Sequence, residues 1–164
     1  MKKSKYIETS NGDGLLISFL PLGDNYLTPL ALSQLEQNVK VLMVELDRTQ
    51  GTATIDNKVL SVITQVVADT FFEYDDVIVC FVCDFLSPIP TTKKKIPCQE
   101  YRSRLFAKMF ERYASTHTLP CEMIQTVIAI NGVEEKYYAH IIARREHSKY
   151  VQLIGDDIKS IFDK

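Results

Sequence analysis

Asn131-Gly132 stands between two alternating apolar runs, Met123 to Ile130 and Tyr137 to Arg144. Both central residues of a type I′ turn need positive φ, which Asn and Gly tolerate, so this pair is the strongest local fold signal in the chain. If Ile130 and Val133 flank a two-residue loop, Thr126 faces Tyr137 and Met123 faces His140. A second hairpin is expected near the start, where Tyr6–Thr9 and Leu15–Leu20 are separated by Asn-Gly-Asp-Gly. Hairpins at both ends supply antiparallel pairs, which disfavours an all-parallel βαβ arrangement.

Between the hairpins the periodicity changes. Val39–Asp47 alternates as a half-buried strand, while Leu27–Asn38 (LTPLALSQLEQN) carries conflicting signals for a loop and a short helix. Asp56 reads as an N-cap, and Asn57–Phe72 has Val59, Val62, Ile63, Val66, Val67 and Phe71 on one arc of a helix. Lys58, Ser61, Gln65 and Asp69 fall opposite. Val77–Phe85 (VIVCFVCDF) is β-branched and apolar on both faces, the pattern of a central strand. Pro88, Pro90 and Pro97 bracket a polar loop, and a second helix is expected from Cys98 to Ser115. An apolar piece, Tyr150–Ile154, leads through Gly155 to a short C-terminal helix around Asp156–Phe162.

This order predicts an α+β fold: a mostly antiparallel sheet with two main amphipathic helices packed on one face and a short C-terminal helix. The 164 residues, 46% hydrophobic and 24% charged, suit one globular domain over residues 1–164. The longest apolar run, Val77–Cys83, is far short of the roughly 20 residues that span a bilayer as a helix, so no membrane partner is expected. MKKSKYIETSNGDG has the positive charge of a secretion signal but no apolar segment directly behind it. With four cysteines read as reduced thiols, the expected location is the cytoplasm.

Cys80 and Cys83 have the CxxC spacing of metal and redox sites. On a strand, however, the two side chains point to opposite faces and cannot share an ion. His117, His140 and His147 match no metal-ligand spacing, and none of GxGxxG, GxxxxGK[ST] or GxSxG occurs. The reading is therefore of no metal, no cofactor and no assigned catalytic residue. His140 is expected to share a strand face with Tyr138, Ile142 and Arg144.

Residues 93–149 carry 11 Lys/Arg against 6 Asp/Glu, although the whole chain has net charge −2. Tyr137 and Tyr138 beside Arg144, Arg145 and Lys149 form an aromatic and basic mixture of a kind that holds single-stranded nucleic acid. The acidic pI of about 5.9 and the lack of an RNA-binding signature disfavour that partner.

The second helix holds the most informative charge. Tyr101, Leu105, Met109 and Tyr113, flanked by Phe106, define an arc centred close to Arg102, whereas Arg104 lies opposite, spaced for an i,i+4 pair with Glu100. A buried guanidinium needs acceptors, and Asp84 at the end of the preceding strand is the nearest candidate in chain order. The favoured reading is an Asp84–Arg102 pair that docks strand on helix. The alternative is an anion site, for a phosphate or nucleotide, formed by Asp84, Lys93, Lys94, Lys95, Arg102 and Arg104 around one pocket.

The strand ending Cys83-Asp84, the helix reading Arg102-Ser-Arg-Leu-Phe106 and the earlier helix ending Phe71-Phe72 resemble a family of small uncharacterised bacterial proteins, found mainly in Bacteroidetes. There a Cys-Asp strand end precedes an Arg-rich helix start and then a Leu-Phe and aromatic pair. The match covers residues 56–113. This chain departs in placing Met109-Phe110 where the family tends to have a Trp-containing pair, and in a longer Pro/Lys loop. The resemblance implies no activity; it implies that Cys83, Asp84, Arg102 and Arg104 belong to one local structure. Together these readings favour a non-enzymatic module that binds a protein partner or forms a homo-oligomer. A phosphate- or nucleotide-handling enzyme or sensor is the alternative, and a weak nucleic-acid binder a second one.

Overall fold

The computed structural model describes residues 3–8, 14–22, 29–50, 57–83, 98–116, 122–131 and 136–162. The elements are β1 (Lys3–Glu8), β2 (Gly14–Pro21), α1 (Pro29–Gln34), β3 (Lys40–Gln50), α2 (Asn57–Glu73) and β4 (Val77–Cys83). They continue with α3 (Cys98–Thr116), β5 (Met123–Asn131), β6 (Lys136–Arg144), a 3-10 turn at Arg145–His147, and α4 (Ser148–Phe162). The fold is α+β. Six strands form one sheet in the order β1-β2-β3-β4-β6-β5, antiparallel except where β3 pairs with β4 in parallel. The parallel pair is bridged by α2, since parallel neighbours need a crossover connection rather than a tight turn.

β4 is central, as its two-sided apolar pattern requires. Val77, Val79 and Phe81 enter one core and Ile78 and Cys80 the other. Helices α2 and α3 cover the first face, where Ile63, Val67, Phe71, Phe106 and Phe110 meet Phe19, Leu42 and Ile142. The second face is covered by α1 and α4, whose Tyr150, Val151, Ile154 and Ile158 recur at helical spacing over Ile78, Ala139 and Ile141.

The C-terminal helix begins at Ser148, well before the predicted Asp156, because Tyr150, Val151 and Ile154 of the apolar piece form its first buried stripe. Gly155 is tolerated inside it for a steric reason. A Cβ there would collide with the Cδ1 of Ile128 and lie 3.3 Å from that of Ile141, so the absent side chain lets α4 sit close on β5 and β6.

The second hairpin forms with a different register. Its pairs run from Met123↔Arg144 to Asn131↔Lys136, so Thr126 faces Ile141 instead of Tyr137, and Met123 faces Arg144 instead of His140. A two-residue loop would have carried Glu134 and Glu135 into the ladder opposite Ala129 and Ile128. Ile128 packs into the core under α4, where a carboxylate without a partner costs several kcal/mol. The shift is an even number of residues, so each side chain keeps its predicted face. His140 accordingly shares a face with Tyr138, Ile142 and Arg144.

Candidate functional site: an uncharged sheet edge and the polar chain behind it

β5 closes the sheet on one side. Its sequence, MIQTVIAIN, has no charge, no proline and no glycine, and its register to β6 runs without a bulge over all nine residues. Arg145 N–H donates to the carbonyl of Glu122 (3.0 Å), which makes Glu122↔Arg145 a hydrogen-bonded pair. In an antiparallel ladder such pairs alternate with non-bonded ones. Ile124, Thr126, Ile128 and Ile130 therefore turn their backbone groups toward β6. Met123, Gln125, Val127, Ala129 and Asn131 turn theirs to the open edge. Val127, in the middle, is 43% exposed, one of the few large apolar side chains left in solvent. Among the described residues no strand pairs with this edge.

Behind the edge lies a buried polar chain. Gln125 donates from Nε2 to the carbonyl of Ala107 on α3 (3.4 Å), which leaves its Oε1 to accept from Nδ1 of His140 (3.0 Å). With Nδ1 protonated, Nε2 is the acceptor, and the Ser103 hydroxyl donates to it at 2.8 Å. Burial pushes His140 down to about 4 from its ordinary 6.5, so the ring is neutral at pH 7. Phe106 meets the imidazole edge-on at a centroid distance of 5.0 Å, and Phe81 packs on Phe106 at 4.8 Å.

A hydroxyl on a neutral imidazole that is oriented by an amide is the order of groups used to activate a nucleophile. Here His140 is fully buried and Ser103 is 3% exposed, which keeps substrate from the hydroxyl. What the chain does in place is mechanical: it satisfies buried polar groups and ties β5, β6 and α3 into one unit. His140 is placed on this face by its strand pattern, whereas Ser103 and Gln125 were not expected as its polar partners. The signal for Ser103 was available, since Ser103, Phe106 and Phe110 recur at i, i+3 and i+7 and form the stripe that α3 buries.

At the end of β6, opposite Met123 of β5, Arg144 serves as a cap. Its Nη2 donates to the carbonyls of Phe71 (2.7 Å) and Tyr74 (3.3 Å) and to Asp75 Oδ1 (3.3 Å). A buried cation on the last carbonyls of α2 opposes the negative end of the helix dipole and fastens that helix to β6. His147, also buried, lies 3.6 Å from Asp76 through Nε2.

The predicted anion-site residues divide. Asp84, Lys93, Lys94 and Lys95 lie outside the described residues. Arg102 is buried at 4% exposure in the α3 interface, whereas Arg104 is on the solvent side, bonded to Glu100 at 2.5 Å. The two arginines thus occupy different environments on one helix. Cys80 is fully buried, and loss of solvent pushes its thiol up to about 12, far from a reactive thiolate. An apolar hollow of about 260 Å³, lined by Pro21, Leu22, Leu35, Val39, Val41 and Leu42 with Lys40, opens beside the start of β3.

Among the described residues no group of three or more His, Cys, Asp or Glu side chains gathers as a metal site, and no helix is long and apolar enough to cross a membrane. Comparison of the chain with protein-family models, with curated proteins and with solved structures returns no match.

Proposed function

We propose that this protein is a non-enzymatic binding module that joins another polypeptide by adding a strand to its sheet at β5. One observation carries the reading: β5 is nine residues of uncharged strand at the end of the sheet, and among the described residues no further strand lies beside it. Backbone N–H and C=O groups at an open edge form a template for a further strand, and proteins that avoid such pairing place charges, prolines or bulges there. β5 has none of these devices. In strand addition the main-chain bonds supply affinity and alternate side chains supply selectivity. Val127 and Ala129, both exposed, sit where a partner's side chains would be read.

The polar chain behind the edge supports the same reading. A docking strand loses less conformational entropy on binding when it is already held in place, and Gln125 anchors β5 to α3 through Ala107 and to β6 through His140.

Selection of random nine-residue peptides on the immobilised protein tests the proposal. The protein is attached at low density so that copies cannot meet, and Ala129→Pro serves as the comparison. Proline at 129 removes an outward-facing N–H and leaves the ladder to β6 intact, since Ala129 does not bond to that strand. The expected result is enrichment of extended, alternating apolar peptides that bind wild type and lose Ala129→Pro. Enrichment indifferent to that variant, or no enrichment, overturns the proposal.

A further inference from the structure

We infer that the strand added at β5 is β5 of a second copy of this chain, antiparallel, on a two-fold axis through Val127. The inference rests on the strand-addition reading above and specifies its partner.

Three features of the edge carry it. The residues whose backbone groups face outward, Met123, Gln125, Val127, Ala129 and Asn131, are symmetric about Val127. Opposing two such strands there aligns Gln125, Val127 and Ala129 with counterparts on the other copy and allows about six inter-strand hydrogen bonds. The charge pattern is also compatible with itself. In this register Met123 meets Asn131, Gln125 meets Ala129, Val127 meets its own copy, Ile124 meets Ile130 and Thr126 meets Ile128. No charge faces a like charge, and most pairs are apolar on at least one side. The nearest charged residue before the strand, Glu122, is already paired within its own copy to Arg145.

The third feature is closure. A two-fold contact uses the same patch on both copies and leaves the β1 edges outermost. Those edges carry Lys3, Lys5 and Glu8 within six residues, which discourages further strands. One open and one guarded edge per chain give a twelve-stranded dimer, and growth stops there.

Sedimentation equilibrium together with amide hydrogen exchange across a dilution series tests this with the full chain. The expected result is a dimer in which the amides of Gln125, Val127 and Ala129 gain protection as protein concentration rises. Those of Ile124, Thr126 and Ile128 are protected at every concentration. Val127→Lys places two like charges on the axis, and its dissociation constant should rise about tenfold or more, with unchanged circular dichroism. Should that variant fail to fold, the alternating exchange pattern of wild type stands as the readout. A photo-crosslinker at 127 should join the two copies within β5.

A monomer at the highest concentration reached overturns the self-pairing. So does a dimer whose exchange lacks the alternation, or one crosslinked elsewhere. Peptide selection then separates the two claims. Peptides sensitive to Ala129→Pro would retain the docking edge while rejecting the second copy, and their absence would reject both.

Discussion

The two edges of this sheet are built on opposite principles. β1 is short, has Lys3, Lys5 and Glu8 in its sequence, and leaves Ser4, Lys5, Tyr6 and Glu8 in solvent. β5 is half as long again, carries no charge, and is held from behind by Gln125, His140 and Ser103. Each edge pairs with a single neighbour, β1 with β2 and β5 with β6. The difference therefore lies in what each edge tolerates beside it. A charged strand end must lose water to pair, whereas an uncharged one gains main-chain bonds at little cost.

The largest expected effect comes from erasing the contrast. Replacing Lys3, Lys5 and Glu8 together by Thr gives the chain two permissive edges, and assembly should pass from a closed species to open-ended growth, seen as a mass increasing with concentration in sedimentation velocity. A mass unchanged by the triple substitution would show that the charges on β1 do not guard it.

Acid should loosen β5 before β1, because only β5 leans on a buried imidazole. His140 titrates at about 4 in the fold, below its ordinary 6.5, so between those values the unfolded chain binds the extra proton. Stability is complete above about pH 6.5 and falls as pH drops toward 4, by roughly 3 kcal/mol in all. His140→Leu should flatten that part of the stability–pH curve by up to about 1.4 kcal/mol per pH unit. Denaturant melts of both proteins across this range check it, and equal slopes would refute the assignment.

A smaller effect is expected from Gly155→Ala. The added methyl presses on Ile128 and Ile141 and should cost about 1–3 kcal/mol. Hydrogen exchange should then show faster opening at β5 than at β1. Smallest is Ser4→Ala, which removes a hydroxyl contact to Ser18 (3.2 Å) at the rim of β1 and should change the melting free energy by a few tenths of a kcal/mol. A large loss there would mean that β1 matters more to the fold than its exposure suggests.

Much of this architecture is legible in the residues themselves. The apolar arc of Asn57–Phe72, the two-sided run of β4 and the turn signals of both hairpins each follow from a local periodicity, which survives whatever the neighbours do. The buried placement of Arg102 and the solvent pair of Arg104 with Glu100 are likewise consequences of helical spacing. The polar chain was less legible. Gln125 and Ser103 are ordinary surface residue types, 22 positions apart in sequence, and their common partner His140 reaches both only because β6 lies between β5 and β4 under α3.

The sequence by itself determined the strands and the helices α2 and α3, and which face of each is apolar, because those properties depend on spacing of 2 or about 3.6 residues along one element; α1 and the start of α4 were not determined in this way. Tertiary structure alone decided that β5 stands at an edge, that its hairpin closes at Asn131↔Lys136, and that α4 covers the second face with Gly155 at the contact. Strand order and register are settled by competition between distant segments for the same buried area, and the second hairpin closes at Asn131↔Lys136 instead of at the tight turn that Asn131-Gly132 favours locally.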